Sequence, residues 1–380
     1  MSPDAAGAGG PRTMRAAVYH GPRDVRVERR PVPERGNGQV LLRVLRSGMC
    51  GTDATEWCSG PHLYAVARPH PVSGHVGPLI LGHEFVGEVV EVGRDSAFAV
   101  GDRVAAGAGV WCGACPRCAE GRTNLCWRYT TLGLSVDGGM AEFVAAPEQM
   151  LARLPDGLAL DLAGLAQPLA VGLHAARRAG VVDGDRVVII GAGAIGTFVL
   201  AGIRSLADAD VTVIDFPGPR LDRALRLGAS RGIAAGEGAV AAALAAASAV
   251  APVGGRGADI VVEASGAPGQ LASAIRLVRS GGTILQVGLP AAPPELDVQA
   301  LVLREITIRT SCAHVFAEDL APALALLATT GLGRELLDSV HPLDDIAEQL
   351  DRLAGGRLDG KVLFDPSLGP SLGPGATRAS

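Results

Sequence analysis

The sequence predicts an α/β chain in two units, a barrel-like unit of short β-strands followed by a doubly wound parallel sheet. Three observations carry this. Glycine-punctuated, β-branched stretches run through the first 155 residues. Beyond Asp156 the pattern changes to short apolar strands alternating with helices, as in a parallel sheet covered on both faces. One of those strands runs straight into a Gly-x-Gly-x-x-Gly turn.

A chain of 380 residues suits two domains. With 48% hydrophobic, 19% charged and only 3% aromatic residues, it is too apolar for a disordered chain and should have an aliphatic core. A net charge of −5 argues against a nucleic-acid or acidic-membrane partner. No apolar run reaches the roughly 18 residues of a membrane span. The Ala/Gly/Pro-rich start has no basic segment leading an apolar one, so a cytoplasmic protein is expected. Seven cysteines in that compartment point to metal or catalysis before disulfides. Lys361 is the only lysine, which fits an arginine-biased composition.

In the first unit, strands are expected at Arg15–Tyr19, Val40–Leu45, Phe85–Val92, Arg103–Ala106 and Ala141–Ala145, with a turn at Gly101 and Asp102. Cys112, Cys115, Cys118 and Cys126 form a C-x2-C-x2-C-x7-C pattern. Four soft ligands supplied by one loop suit a closed, tetrahedral structural zinc. An iron–sulfur cluster shares the first spacings, but no other cluster-like spacing accompanies them. Two further groups, Cys50-Gly-Thr52-Asp53 and Gly82-His83-Glu84, stand at glycine-rich strand ends. Cys50, His83 and Glu84 supply a thiolate, an imidazole and a carboxylate, the ligand types of a catalytic zinc with an open position.

The second unit opens with a helix over Leu158–Ala179 and a strand at Arg186–Ile190. Gly191, Gly193, Ala194, Ile195 and Gly196 then form the turn and the first residues of the next helix. There Gly191 permits the tight turn, Gly193 lets the backbone approach a pyrophosphate, and Gly196 lets helix and strand pack closely. A second strand, Val211–Ile214, leads to Asp215, 19 residues after Gly196. Asp215 can accept hydrogen bonds from ribose hydroxyls and repel a 2′-phosphate, favouring NAD over NADP. A helix at Leu221–Leu227, an alanine-rich surface helix over Ala234–Val253, and buried strands at Asp259–Glu263, Thr283–Val287 and Ile306–Arg309 complete the sheet.

These motifs together resemble the zinc-dependent medium-chain alcohol and polyol dehydrogenases, which include sorbitol, butanediol, threonine and glucose dehydrogenases. The resemblance runs from Met14 to Asp365. It rests on Cys50–Asp53, Leu81–Phe85, the four-cysteine loop, Gln167-Pro-Leu169, Gly191–Gly196, Glu263–Gly266 and Gly360-Lys-Val362. Arg68–Gly74 is similar to the longer loop of the butanediol branch, whereas Cys-Gly-Thr-Asp paired with Ala-Gln-Pro-Leu is closer to the sugar dehydrogenases.

The resemblance implies a GroES-like catalytic domain over 14–169 and 307–365, and a Rossmann NAD-binding domain over 170–306. The segments 1–13 and 366–380 are then expected as disordered tails. It implies two zinc ions and NAD, a small-molecule alcohol substrate, and a homodimer or homotetramer. It assigns Cys50 and His83 to the catalytic zinc, with Glu84 and Gln167 as further ligands or close neighbours. Thr52 would take the substrate hydroxyl proton, Asp53 would orient a ligand, Asp215 and Arg220 would hold the adenosine ribose, and Val287, Gly288 and Leu289 would line the nicotinamide. His314 falls where polyol dehydrogenases place a substrate-contacting side chain. Two positions depart from many relatives: Gln167 replaces a glutamate, and Thr55 replaces a histidine of the proton relay. The reaction expected is oxidation of a secondary alcohol of a polyol, diol or sugar by hydride transfer to NAD. An amino-alcohol or aminocyclitol dehydrogenase shares every motif, and a non-catalytic NAD- or zinc-binding protein would be expected to lack one of Cys50, Thr52 or His83.

Overall fold

The computed structural model describes residues 12–249 and 256–369. The six strands of the parallel sheet lie in the order Arg231–Ala234, Asp210–Asp215, Arg186–Ile190, Ala258–Glu263, Val278–Gln286 and Thr307–Thr310. All neighbours are parallel, so chain order reverses beside Arg186–Ile190, the position where a doubly wound sheet opens its ligand crevice. Its two faces carry separate aliphatic cores, one around Val187, Ile189 and Val199, the other around Val188, Val261 and Ile284. The helix Ala239–Ala249 buries only the stripe Ala239, Ala243 and Ala247, spaced four apart, and leaves its other side to solvent. Of the rest of the helix expected over Ala234–Val253, Ala234 ends the strand Arg231–Ala234, residues 235–238 form a turn, and 250–253 lie outside the described residues.

The other unit is antiparallel in most of its pairings. A three-stranded sheet is formed by Asp24–Pro31, Thr13–Gly21 and Leu79–Ile80. A seven-stranded sheet runs Leu151–Arg153, Arg103–Ala106, Glu84–Glu91, Gln39–Gly48, Lys361–Phe364 and Leu337–His341, with Phe143–Pro147 also on Gln39–Gly48. Val40, Leu42, Phe85, Val104 and Val144 fill its interior. The last strands of the chain therefore return to the first sheet.

Three sequence expectations are corrected. The helix expected over Leu158–Ala179 is two helices, Leu160–Ala163 and Ala166–Ala179. Pro168 has no N–H to continue a helix from the preceding turn and is accommodated in the first turn of the second helix instead. The strand Thr307–Thr310 is not buried but is an exposed sheet edge, and because it belongs to the parallel sheet, the chain leaves that sheet after Thr310, later than the expected 307. Thr13 already stands in a strand, not in a tail; most of 1–13 and 366–380 lies outside the described residues. Among the described residues no helix is long and apolar enough to cross a membrane.

Candidate metal and dinucleotide sites

Strand register assembles the first site. Gln39–Gly48 pairs with Glu84–Glu91 so that Gly48 faces Glu84, and with Lys361–Phe364 so that Gly48 faces Leu363. Cys50, two residues past Gly48, is thereby set against His83, Glu84 and Lys361. Gly82 makes the approach possible: its φ is +96°, and a Cβ there would lie 2.5 Å from the Met140 nitrogen.

Cys50 caps the helix Gly51–Ser59, and its backbone N–H donates to Asp53 Oδ2 at 2.7 Å. The ligand atoms of Cys50, His83 and Glu84 all lie within 4.8 Å of one another. Thr52 Oγ1 is 4.0 Å from Cys50 Sγ. His83 Nδ1 faces Asp53 Oδ1 at 3.9 Å, while its other nitrogen lies 3.9 Å from Glu84 Oε1. Lys361 Nζ donates to Glu84 Oε1 at 2.7 Å, with both residues buried. Burial pushes the Glu84 carboxyl up to about 7 against the pull of Lys361. Burial alone would lower the Lys361 ammonium; the Glu84 carboxylate outweighs it, and the net shift is upward. With Cys50 and Glu84 ionised, Lys361 leaves one negative charge uncompensated, and that charge, with a free imidazole nitrogen, fits a divalent cation.

Gln167 is buried in the first turn of Ala166–Ala179, and its amide has no hydrogen-bond partner among the described residues. His314 is buried against Gly107, with both ring nitrogens unpartnered among the described residues. Burial lowers its pKa to about 4, so it stays neutral.

Cys112, Cys115, Cys118 and Cys126 converge as a second cluster. Sγ–Sγ distances of 3.5, 3.6 and 3.9 Å match the ~3.8 Å edge of a tetrahedron with zinc–sulfur bonds of about 2.3 Å. Backbone donors, the Trp127 N–H first, lower Cys115 to about 6, while burial pushes Cys118 up to about 12. Four crowded thiols cannot all ionise unaided, and a divalent cation removes that conflict.

The dinucleotide turn stands at the crevice of the parallel sheet. Gly191 has φ +99°, and a Cβ on Gly196 would lie 1.8 Å from the Gly191 carbonyl oxygen. A Cβ on Gly193 would meet nothing within 4 Å, which leaves room for a pyrophosphate. Gly193 caps the helix Ala194–Leu206, whose first N–H groups, on Ala194, Ile195 and Gly196, have no intrahelical acceptor and suit an anion. Asp215 ends its strand with one carboxylate oxygen held by the Ala192 N–H and the other by the Phe216 N–H at 2.6 Å. Arg220 does not face that carboxylate; its guanidinium donates to the carbonyls of Gly356 and Leu358.

Glu263 binds the two loops of the crevice together. Its carboxylate accepts from Ser265 N at 2.8 Å, Gly266 N at 3.0 Å and Gln286 Nε2 at 2.5 Å, and its carbonyl accepts from the N–H groups of Val287 and Gly288 at 2.9 Å. Leu289 follows, 84% exposed. Sequence reasoning missed Glu56, Tyr64 and the partnership of Lys361 with Glu84. Only the last left a trace, in the isolated lysine.

The comparisons agree with this geometry. Residues 36–156 match the alcohol dehydrogenase GroES-like domain, and residues 194–329 match the zinc-binding dehydrogenase family. Sorbitol dehydrogenase of Bacillus subtilis is 35% identical over 285 residues, covering 74% of this chain and 76% of that protein. (R,R)-butanediol dehydrogenase of the same organism is 30% identical over 344 residues, covering 88% and 94%. The crystal structure of 2R,3R-butanediol dehydrogenase from Bacillus subtilis superposes with a TM-score of 0.83 at 29% identity, covering 93% of this chain and all of that one. With the thiolate–imidazole–carboxylate cluster, the four-cysteine loop and the dinucleotide turn in place, the chain belongs to the zinc-dependent medium-chain alcohol dehydrogenases.

Proposed function

We propose that this chain oxidises a secondary alcohol of a polyol, diol or sugar with NAD as the hydride acceptor. The observation that carries the reading is the convergence of Cys50, His83 and Glu84 beside Thr52. When bound, zinc supplies Lewis acidity that favours the ionised alcohol, and NAD supplies a hydride acceptor. The protein's share is positional. Cys50 and His83 hold the metal, Lys361 holds the Glu84 carboxylate, and the Thr52 hydroxyl stands beside Cys50 to accept and pass on the substrate proton. Asp215 offers a ribose acceptor whose charge repels a 2′-phosphate, and the Glu263 network fixes the loops expected to line the nicotinamide.

In this reading residues 14–169 and the C-terminal strands form the zinc-holding unit, and 170–310 the NAD-binding unit. The chain is a homo-oligomer joined through the parallel-sheet edge, supported by the exposed strand Thr307–Thr310 and the outward-facing Val298, Val302 and Leu303. Seven free cysteines suit a reducing cytoplasm.

The test is NADH production across diols, sugars, cyclitols and amino alcohols, with metal analysis of wild type and Cys50→Ala. Turnover of a polyol, diol or sugar, and two zinc ions falling to one on substitution, are the expected results. Activity confined to amino substrates, or an unchanged zinc content in Cys50→Ala, contradicts the reading.

A further inference from the structure

One buried oxygen beside the catalytic cluster faces two donors. Asp53, 2% exposed, gives Oδ2 to the Cys50 N–H at 2.7 Å. Its Oδ1 accepts the Tyr64 hydroxyl and also faces His83 Nδ1 at 3.9 Å, a nitrogen that is buried without a hydrogen-bond partner. Tyr64 is itself 3% exposed. Its burial, and then the Asp53 charge, keep the phenol protonated well above its ordinary range, so it remains a donor.

The Tyr64 hydroxyl is held in place from several sides. Its ring packs edge-on to Tyr19 at 4.8 Å, and Tyr19 donates to the Glu56 carbonyl at 2.9 Å. The buried Glu56 carboxylate accepts from the N–H groups of His62 at 2.9 Å and Leu63 at 2.5 Å, the two residues before Tyr64. Glu56 and Asp53 share the helix Gly51–Ser59. One short helix thus supplies both the carboxylate that faces His83 and the carboxylate that fixes the competing donor.

A histidine whose second nitrogen donates to a carboxylate is the stronger metal ligand. An acceptor serving a phenol as well offers less to the imidazole. We propose that Tyr64 is a positioning residue that occupies Asp53 Oδ1, keeps that oxygen from closing to hydrogen-bond distance on His83 Nδ1, and thereby sets how tightly the catalytic metal is held. This rests on Cys50 and His83 being ligands of that metal.

The test uses the full-length, zinc-loaded protein and Tyr64→Phe, which removes one hydroxyl and keeps the ring. Zinc release from the Cys50 site to a chelator is followed with a metal-binding dye, and the visible spectrum is taken after cobalt substitution. Release should slow by about threefold to tenfold, below the effect of removing such a partner outright, and the cobalt bands should move to higher energy as imidazole donation strengthens. In an Asp53→Asn background the same substitution should change release by less than about twofold, because the coupling runs through the carboxylate. Release that is unchanged or faster, or an unmoved cobalt spectrum, reduces Tyr64 to packing and overturns the proposal. Failure of the underlying metal assignment is seen separately: Cys50→Ala would then keep both zinc ions.

Discussion

Asp215 shows how much a single side chain can decide. Both its oxygens are pinned by backbone N–H groups, so the carboxylate is oriented before any cofactor arrives. Asp215→Ser should lower kcat/KM for NAD about 10- to 100-fold, the cost of losing charge-assisted ribose hydrogen bonds, and raise the use of NADP relative to NAD. Steady-state kinetics with both cofactors checks this; a wild-type enzyme equally active with NADP would remove Asp215 from that role. Asp215 was legible because it lies at a fixed distance from a glycine motif. The four cysteines were legible because one loop supplies them all. Tyr64 and Glu56 were not, since the contact with Asp53 exists only after the loop between them has folded. Lys361 was visible as an isolated lysine and within Gly360-Lys-Val362, but its pairing with Glu84 was not, because that partner lies 277 positions away in the chain.

At the level of elements, Asp259 clamps the centre of the parallel sheet. Standing at the start of Ala258–Glu263, it accepts from Arg186 N at 2.9 Å, Nε at 2.8 Å and Nη2 at 3.0 Å, and from Arg279 Nε at 2.5 Å. Burial by itself would raise its pKa; the Arg186 and Arg279 guanidinium groups reverse that and hold the carboxyl well below the usual range. A depressed folded-state pKa gives stability that is complete above the unfolded value, near 3.9, and is lost as the pH falls through the folded one. Asp259→Asn should therefore destabilise the protein by about 2–3 kcal/mol at neutral pH, leaving the buried Arg186 charge unpaired. It should also flatten the loss of stability below about pH 4. Denaturant unfolding at several pH values measures both, and parallel acid limbs for the two proteins would refute the assignment. Arg186–Ile190 was legible to the residue because all five of its residues are buried between two covered faces. Thr307–Thr310 was recognised as a strand but not as an edge, because burial depends on what lies beside it. The break at Gly164 was overlooked because alanine and leucine dominate the run, although Gly164 and Pro168 both interrupt it.

At the scale of the molecule, one helix adds polar ties between the two units to the apolar core they share. Pro219–Arg226 follows Asp215 and turns Arg220, Arg223 and Arg226 toward the C-terminal segment. Arg220 binds the carbonyls of Gly356 and Leu358, Arg223 is buried with Asp359 and Asp338 as counter-charges, and Arg226 pairs with Glu335 at 2.8 Å. The assembly proposed above would use the opposite end of the sheet, where Val302 is 68% and Leu303 74% exposed beside the edge strand. Val302→Glu with Leu303→Glu should shift the protein toward monomer in sedimentation without unfolding it, since neither side chain is in the core; an unchanged mass would place the interface elsewhere. The change to alternating strands and helices of the parallel sheet was legible near Asp156, whereas the return of the chain to the first sheet was expected only from the resemblance, because the short strands Leu337–His341 and Lys361–Phe364 gain their character from distant partners. That return has a consequence for biosynthesis. The strand Lys361–Phe364 borders Cys50 and supplies the lysine that holds Glu84, so a nascent chain cannot close its metal pocket while those residues are still inside the ribosome. On the proposed reading, the four-cysteine loop is complete by Cys126 and the catalytic pocket only with Lys361, so a chain stopped before Lys361 should keep the first zinc and hold the second less tightly.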